Sequence, residues 1–350
     1  MDKNNKHHHI VGRFIQFWFA LLLLSLTATS STFANEHKPS ASGAIANPGS
    51  ELWRNVRQRD SFLLGSTQVR GMDTSSLINT EGQAWRQLRV EKIIPYSGYV
   101  LGFTLLVLLI FRILRGQIKI DAGRSGKKIL RFSLNQRTIH WVVAVLFLVL
   151  GLTGVILLLG RTLLLPYIGS SVFGAIAGFS KTIHDYIGPV FSVVLLFMLF
   201  AFIKGNWFKL KDINWFLKGG GMFGTHASAG RYNAGEKSWF WLAMIGGAVI
   251  VASGLVLDFP VFELNRQDLS LAQIIHVISA IVVLAASFAH IFMGTVAMEG
   301  ALETMTTGYC DANWAIEHHD EWYEEVADSR EQGQPKVESG ITPDNAVKSS

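Results

Sequence analysis

Cysteine is nearly missing from this chain: Cys310 is the single thiol in 350 residues. An internal disulfide is therefore excluded, as are a thiolate-held iron–sulfur cluster and a CxxCH haem attachment, which need more than one cysteine. Charge is scarce as well, with 16% of residues charged against 49% hydrophobic and a mean hydropathy of +0.31. The net charge of +5 comes from Lys and Arg in short loops beside apolar runs, not from a soluble basic face. Those residues read as membrane-topology signals, and nucleic acid is not expected as a partner. Repeats, low-complexity tracts and flavin or molybdopterin signatures are also lacking, so any redox group this chain holds is held without thiols.

What the chain does have is long apolar runs. About 20 apolar residues of α-helix cross the roughly 30 Å hydrocarbon core of a bilayer. Five such spans are expected, near Gly98–Leu114, Ile139–Leu159, Ile183–Ile203, Trp239–Leu257 and Leu271–Ala297. Ahead of them, Lys3, Lys6 and Arg13 precede "FIQFWFALLLLSLTATSSTFA", the pattern of a signal peptide over residues 1–34, cleaved after Ala34. An uncleaved anchor is the alternative, and either one exports the polar segment 35–97. The loops Arg115–Arg137 and Lys204–Lys237 carry most of the basic residues and belong on the cytoplasmic side, whereas "GRTLLLPYIGSSVFGAIAGFSK" and "DFPVFELNRQDLS" fall outside. The expected class is an all-α inner-membrane protein. It comprises an extra first helix (98–114), a basic loop (115–137), a four-helix domain (138–297) and a cytoplasmic tail (298–350) that ends in disorder.

Of eleven histidines, His7, His8, His9, His37, His226, His318 and His319 lie outside the spans, and His140, His184, His276 and His290 lie within or beside them. Ionisable groups in membrane helices are costly and usually functional. By the loop charges, His140 and His290 sit toward the cytoplasm, and His184 and His276 toward the exported side. Fourteen residues separate His276 from His290, about 21 Å along a helix and nearly a whole number of turns. One helix thus offers a ligand to each of two stacked sites. Bis-imidazole ligation of two b haems fits that arrangement, whereas a closed zinc site needs about four ligands at one depth. Gly151, Gly154, Gly188, Gly246 and Gly247 offer room for a porphyrin, although ordinary small-residue helix packing accounts for each equally well.

On the cytoplasmic side, "GRYNAGEKSWFW" sets a turn before a membrane helix, with Lys237, Trp239 and Trp241 as interfacial anchors. A backbone turn with an amide at this level also suits a quinone carbonyl. Taken together, "TIHW", "KTIHDYIGPV", "RYNAGEK", "IIHVISA", "FAHIFM" and "WAIEHHDEWYEE" resemble the gamma subunit of membrane-bound formate dehydrogenase, its cytochrome b556, over about Arg137–Glu325. The resemblance implies a four-helix dihaem cytochrome b bundle. His184 and His276 would be axial ligands of the outer haem b, His140 and His290 those of the inner one, with Asn233 and Gly235 at the quinone site. It departs locally at "HDYIG", where short-form relatives tend to carry His-Pro.

Partners follow from the same resemblance: a periplasmic catalytic subunit with molybdenum or tungsten, and an iron–sulfur beta subunit. Electrons would pass from that subunit through the two haems to a quinone reduced near the cytoplasmic face, with formate oxidised on the partner. The alternatives are the same bundle serving a nickel–iron hydrogenase or a thiosulfate reductase, or a haem-free transporter or sensor.

Overall fold

The computed structural model describes residues 82–221, 227–259, 264 and 266–331. The proposed signal peptide, most of the exported segment, His7–His9, His37, His226 and the extreme C-terminus lie outside these residues.

Among the described residues, five helices are long and apolar enough to cross a membrane. The first, α1 (Gly82–Arg115), starts at Gly82 instead of near Gly98, because its opening turns are polar and apolarity alone cannot find them. A wide-turned π stretch, Leu88–Ile93, ends just before Pro95, whose missing N–H disturbs the ladder one turn upstream. Helix α2 (Leu134–Leu163) begins at a capping box: Ser133 Oγ accepts from Gln136 N at 3.3 Å, and Gln136 Oε1 accepts from Ser133 N at 3.2 Å.

Helix α3 (Leu165–Phe202) corrects the expected start at Ile183. The connection read as a loop is helical, broken at Gly169, whose φ of +76° a side chain would resist. Between that break and Phe202 the sequence supplies no strong stop signal, and Pro189 is accommodated inside the helix. A short helix, α4 (Leu210–Leu217), follows. Helix α5 (Ala234–Asp258) and α6 (Arg266–Phe292, continued by a π turn Met293–Ala297) complete the bundle.

Helices α2 and α3 pack as one pair and α5 and α6 as another, α3 lies against α5, and α1 is added on α6. Large outward side chains such as Phe103, Leu152 and Phe197 are more than half exposed. In water each would forgo roughly 25 cal/mol per Å² of burial; hydrocarbon removes that loss.

The basic loop and the tail up to Glu331 form a small cap. Strand β1 (Lys128–Leu130) pairs antiparallel with β2 (Tyr309–Asp311), with Ile129 opposite Cys310. Helices α7 (Ala301–Thr306), α8 (Ala312–His318) and α9 (Asp320–Glu331) surround them. Its core gathers Ile120, Ile129, Cys310, Trp314 and Trp322. This packing explains how a tail of polar composition folds into helices α7 to α9.

Candidate functional site

The four membrane histidines meet in two pairs. The rings of His184 on α3 and His276 on α6 have centroids 6.1 Å apart, and those of His140 on α2 and His290 on α6 lie 6.3 Å apart. Two imidazoles on opposite sides of one metal ion, each with a metal–nitrogen bond of about 2 Å, place their centroids about 6 Å apart. The spacing is too long for a direct imidazole hydrogen bond and matches a shared central ion. Among the described residues no three His, Cys, Asp or Glu side chains converge, so each centre offers two imidazoles only.

Hydrogen bonds orient the first pair. His276 Nδ1 lies 3.0 Å from the Ile250 carbonyl, which only accepts, so Nδ1 carries the proton and Nε2 keeps its lone pair. His184 Nδ1 lies 2.9 Å from Thr153 Oγ1, whose own hydroxyl donates to Val149 O at 2.8 Å, which leads to the same tautomer. Ser253 repeats Thr153's part, 3.2 Å from His276 Nδ1 and donating to Val249 O at 2.7 Å. A glycine follows each hydroxyl. A Cβ on Gly154 would stand 3.3 Å from His184 Cε1, and one on Gly254 3.1 Å from His276 Cε1.

The second pair is held differently. His290 stacks on Trp239 with centroids 4.7 Å apart and planes 15° apart. His140 Nδ1 is buried and has no hydrogen-bond partner among the described residues.

Of the two readings open for the glycines, helix packing is the one most of them follow. A Cβ on Gly246 would meet Val283 at 2.5 Å and one on Gly247 would meet Leu195 at 2.9 Å, so these two bring α5 close to α6 and α3. Gly151 faces Leu284 and Gly188 faces Asp258. Gly154 alone of the five touches a ligand ring. Thr153, Ser253 and Gly254 went unread, although a hydroxyl followed by glycine in mid-helix, in "LTGVI" and again in "ASGLV", was their signal; Trp239, read as an interfacial anchor, stacks on His290.

Asn233 caps α5: its Oδ1 accepts from Glu236 N at 2.9 Å, and Glu236 Oε2 accepts from Asn233 N at 3.0 Å. With Oδ1 so engaged, the amide Nδ2 is the end left over, and no described residue accepts from it. Gly235 is fixed by a neighbour, since its Cβ would stand 3.1 Å from Trp215 Cη2. Trp239, one turn after Gly235, stacks on His290, and Glu236 lies within electrostatic reach of the same ring. The turn and the His140/His290 pair therefore share one end of the bundle.

At that end Glu236 also receives Arg131 Nη2 at 2.9 Å. The Arg131 guanidinium is buried, 4.8 Å from the Trp314 ring and 5.1 Å from Phe132. His319 is fully buried beside it, with Nδ1 donating to Gly230 O at 2.9 Å, and burial holds its pKa well below the ordinary value. Burial pushes the Cys310 thiol up to about 11, so the one cysteine is an inert packing residue.

Paired imidazoles inside a bundle of membrane-length helices fit a membrane cytochrome of the b type. The chain belongs to the prokaryotic cytochrome b561 family, whose sequence profile matches residues 131–308, about half of the molecule. It is also similar to the cytochrome b556 subunit of nitrate-inducible formate dehydrogenase from Escherichia coli K12, at 28% identity over 62% of this chain and 99% of that protein. A second Escherichia coli formate dehydrogenase cytochrome b556 subunit is 25% identical over 58% of this chain and 95% of its own length. The Haemophilus influenzae formate dehydrogenase cytochrome b556 subunit is 25% identical over 62% and 91%. The chain is thus a multi-pass membrane cytochrome b with an electron-transfer role.

Proposed function

We propose that this chain is the quinone-reducing gamma subunit of a formate dehydrogenase complex. His184 and His276 would hold one haem b, and His140 and His290 a second. Bound haem supplies one-electron transfer at each centre. The chain's own contribution is spacing and orientation: α6 carries one ligand of each pair, fourteen residues and about 21 Å apart, across most of the hydrocarbon. The two pairs of inward-facing imidazoles near 6 Å, one set by hydrogen bonds to Thr153 and Ile250, are the observation that carries this reading.

The basic end, with its cap, faces the cytoplasm in this reading, because Lys and Arg gather in the loops there. The opposite end receives electrons from an iron–sulfur subunit whose partner, with molybdenum or tungsten, oxidises formate. At the basic end Asn233 Nδ2 donates to a quinone carbonyl, and protons for quinol formation come from the cytoplasm. Residues 1–34 are a cleaved signal peptide, and the exported segment 35–97 runs into the first helix, which begins at Gly82.

Purification of the intact complex followed by a reduced-minus-oxidised spectrum and a haem assay tests the reading. Two b haems per chain and a molybdenum or tungsten subunit are expected. His276→Ala should remove one haem and His290→Ala the other. Two haems per chain in every histidine variant would refute the ligand assignment, and a nickel–iron partner would refute the formate assignment while leaving the cytochrome intact.

A further inference from the structure

Helix α4 has one face that the fold uses and one that it leaves bare. Asp212 and Trp215, three residues apart, turn toward α5. Asp212 is buried and takes two 2.8 Å bonds from the Lys237 ammonium, while the rim of the Trp215 ring lies on Gly235. The opposite stripe, Leu210, Ile213 and Leu217, is 88%, 59% and 81% exposed. Two turns of helix do not persist alone in water, so α5 holds α4 where it is. A further tie reinforces it: Trp241 Nε1 donates to Asn206 O at 2.8 Å, just upstream of α4.

What covers the bare stripe is indicated by its neighbours. It begins eight residues after the end of α3, whose outward side chains there, such as Phe197 and Phe200, are themselves apolar and exposed. Trp207, more than half exposed, lies tilted against Trp241 with centroids 5.0 Å apart, and Lys204 and Lys209 are exposed beside it. Leucine and isoleucine on one side, an aromatic ring at the edge and lysines around it match the boundary layer of a bilayer with anionic headgroups. Helix α4 also borders the turn of Asn233, since the Cβ position of Gly235 lies 3.1 Å from Trp215 and 3.3 Å from Asn233 Oδ1.

We propose that α4 lies in the headgroup boundary of the leaflet at the basic end, with its apolar stripe in the acyl layer, and that Trp215 is the wall against which a quinone headgroup at Asn233 packs. The second half rests on the quinone reading above. A quinone is itself a lipid-resident molecule, and this placement admits it from the acyl layer along α4 without passage through water.

The test uses the whole complex in nanodiscs of phosphatidylglycerol and a diazirine-bearing phosphatidylcholine, irradiated and mapped by mass spectrometry. Leu210, Ile213 and Leu217 should be labelled as strongly as the outward face of α3, and Asp212 hardly at all. An unlabelled α4 beside a labelled α3, or α4 cross-linked to another subunit in place of lipid, overturns the lipid placement. In the kinetic arm, Trp215→Ala should raise the quinone KM about tenfold, roughly 1.4 kcal/mol of binding, with both haem spectra unchanged. Trp215→Phe should recover most of that loss. An unaltered KM in Trp215→Ala overturns the wall. Asn233→Ala separates the two ideas: if it too leaves quinone reduction intact, the quinone site itself is misplaced, whereas the lipid labelling stands or falls independently.

Discussion

Thr153 stands to His184 as Ser253 stands to His276. Each hydroxyl donates to a carbonyl four residues back on its own helix, at 2.8 and 2.7 Å, and turns its oxygen to the Nδ1 of a histidine on the neighbouring helix. With Nδ1 so engaged, Nε2 of each ring keeps its lone pair. Partners of this kind fix the tautomer and raise ligand basicity, and their loss commonly costs about 10–100-fold in metal affinity or activity. Thr153→Val is expected to lower occupancy of the haem proposed at His184/His276 while the one proposed at His140/His290 stays full. Ser253→Ala should do less, because the Ile250 carbonyl at 3.0 Å still holds His276. Haem per chain in the two variants, measured on the purified complex, checks the order.

The glycines separate into two kinds, and substitution tells them apart. Alanine at Gly254 puts a methyl 3.1 Å from His276 Cε1, so the ring must shift and the haem spectrum should change. Alanine at Gly246 puts one 2.5 Å from Val283, between two packed helices. There the expected cost is overpacking, typically 1–3 kcal/mol, seen as a lower midpoint of thermal unfolding with normal spectra. Equal spectral change in both variants would contradict this division.

These cases show where sequence reading succeeded and where it stopped. Runs of apolar residues announce membrane-length helices because the bilayer sets their length, so five helices and the four histidines set into them were legible. The polar turns of α1 before Gly98, the helical stretch after Gly169 and the ordered cap were not, since each is stabilised by contacts distant in sequence. Ile129 finds Cys310 across a two-stranded sheet, and no periodicity in either segment foretells that pairing. Asn233 was found by its resemblance, but its cap geometry and the reason for Gly235, the ring of Trp215, needed coordinates.

The cap's response to acid follows from His319. In an unfolded chain its imidazole takes a proton near pH 6.5. Folded, it is buried beside the Arg131 cation, with Glu236, His318 and Asp320 around it, and its pKa lies well below that value. Above about pH 6.5 both states are neutral and His319 contributes no pH dependence. Below it, the unfolded cap binds a proton that the folded one refuses, so cap stability falls as pH falls. Protection factors over residues 309–326, that is, exchange rates corrected for their intrinsic pH dependence, should fall between pH 6.5 and 5, and His319→Gln should flatten that part of the profile. An unchanged slope in the variant would assign the effect to another group.

Arg131 joins the cap to the turn of Asn233, the proposed quinone site. Its guanidinium is buried among Trp314, Phe132 and Trp322, donates to Glu236, and through Glu236 steadies the cap at Asn233. Removing Arg131 takes away both the ion pair and the packing of the guanidinium on the rings, although water reaches the part-exposed Glu236 carboxylate and offsets some of the lost charge contact. Arg131→Met should therefore loosen the cap and weaken quinone reduction while both histidine pairs keep their haems, since no ligand lies on the affected segment. Arg131→Lys is expected to rescue only partly: an ammonium restores the charge but not the flat surface that lies against the rings. The discriminating measurement is quinone reduction set beside haem content in the same preparation, with Glu236→Gln as the reciprocal variant. If Arg131→Met loses haem as readily as activity, the cap supports the whole bundle and the specific link to Asn233 is wrong.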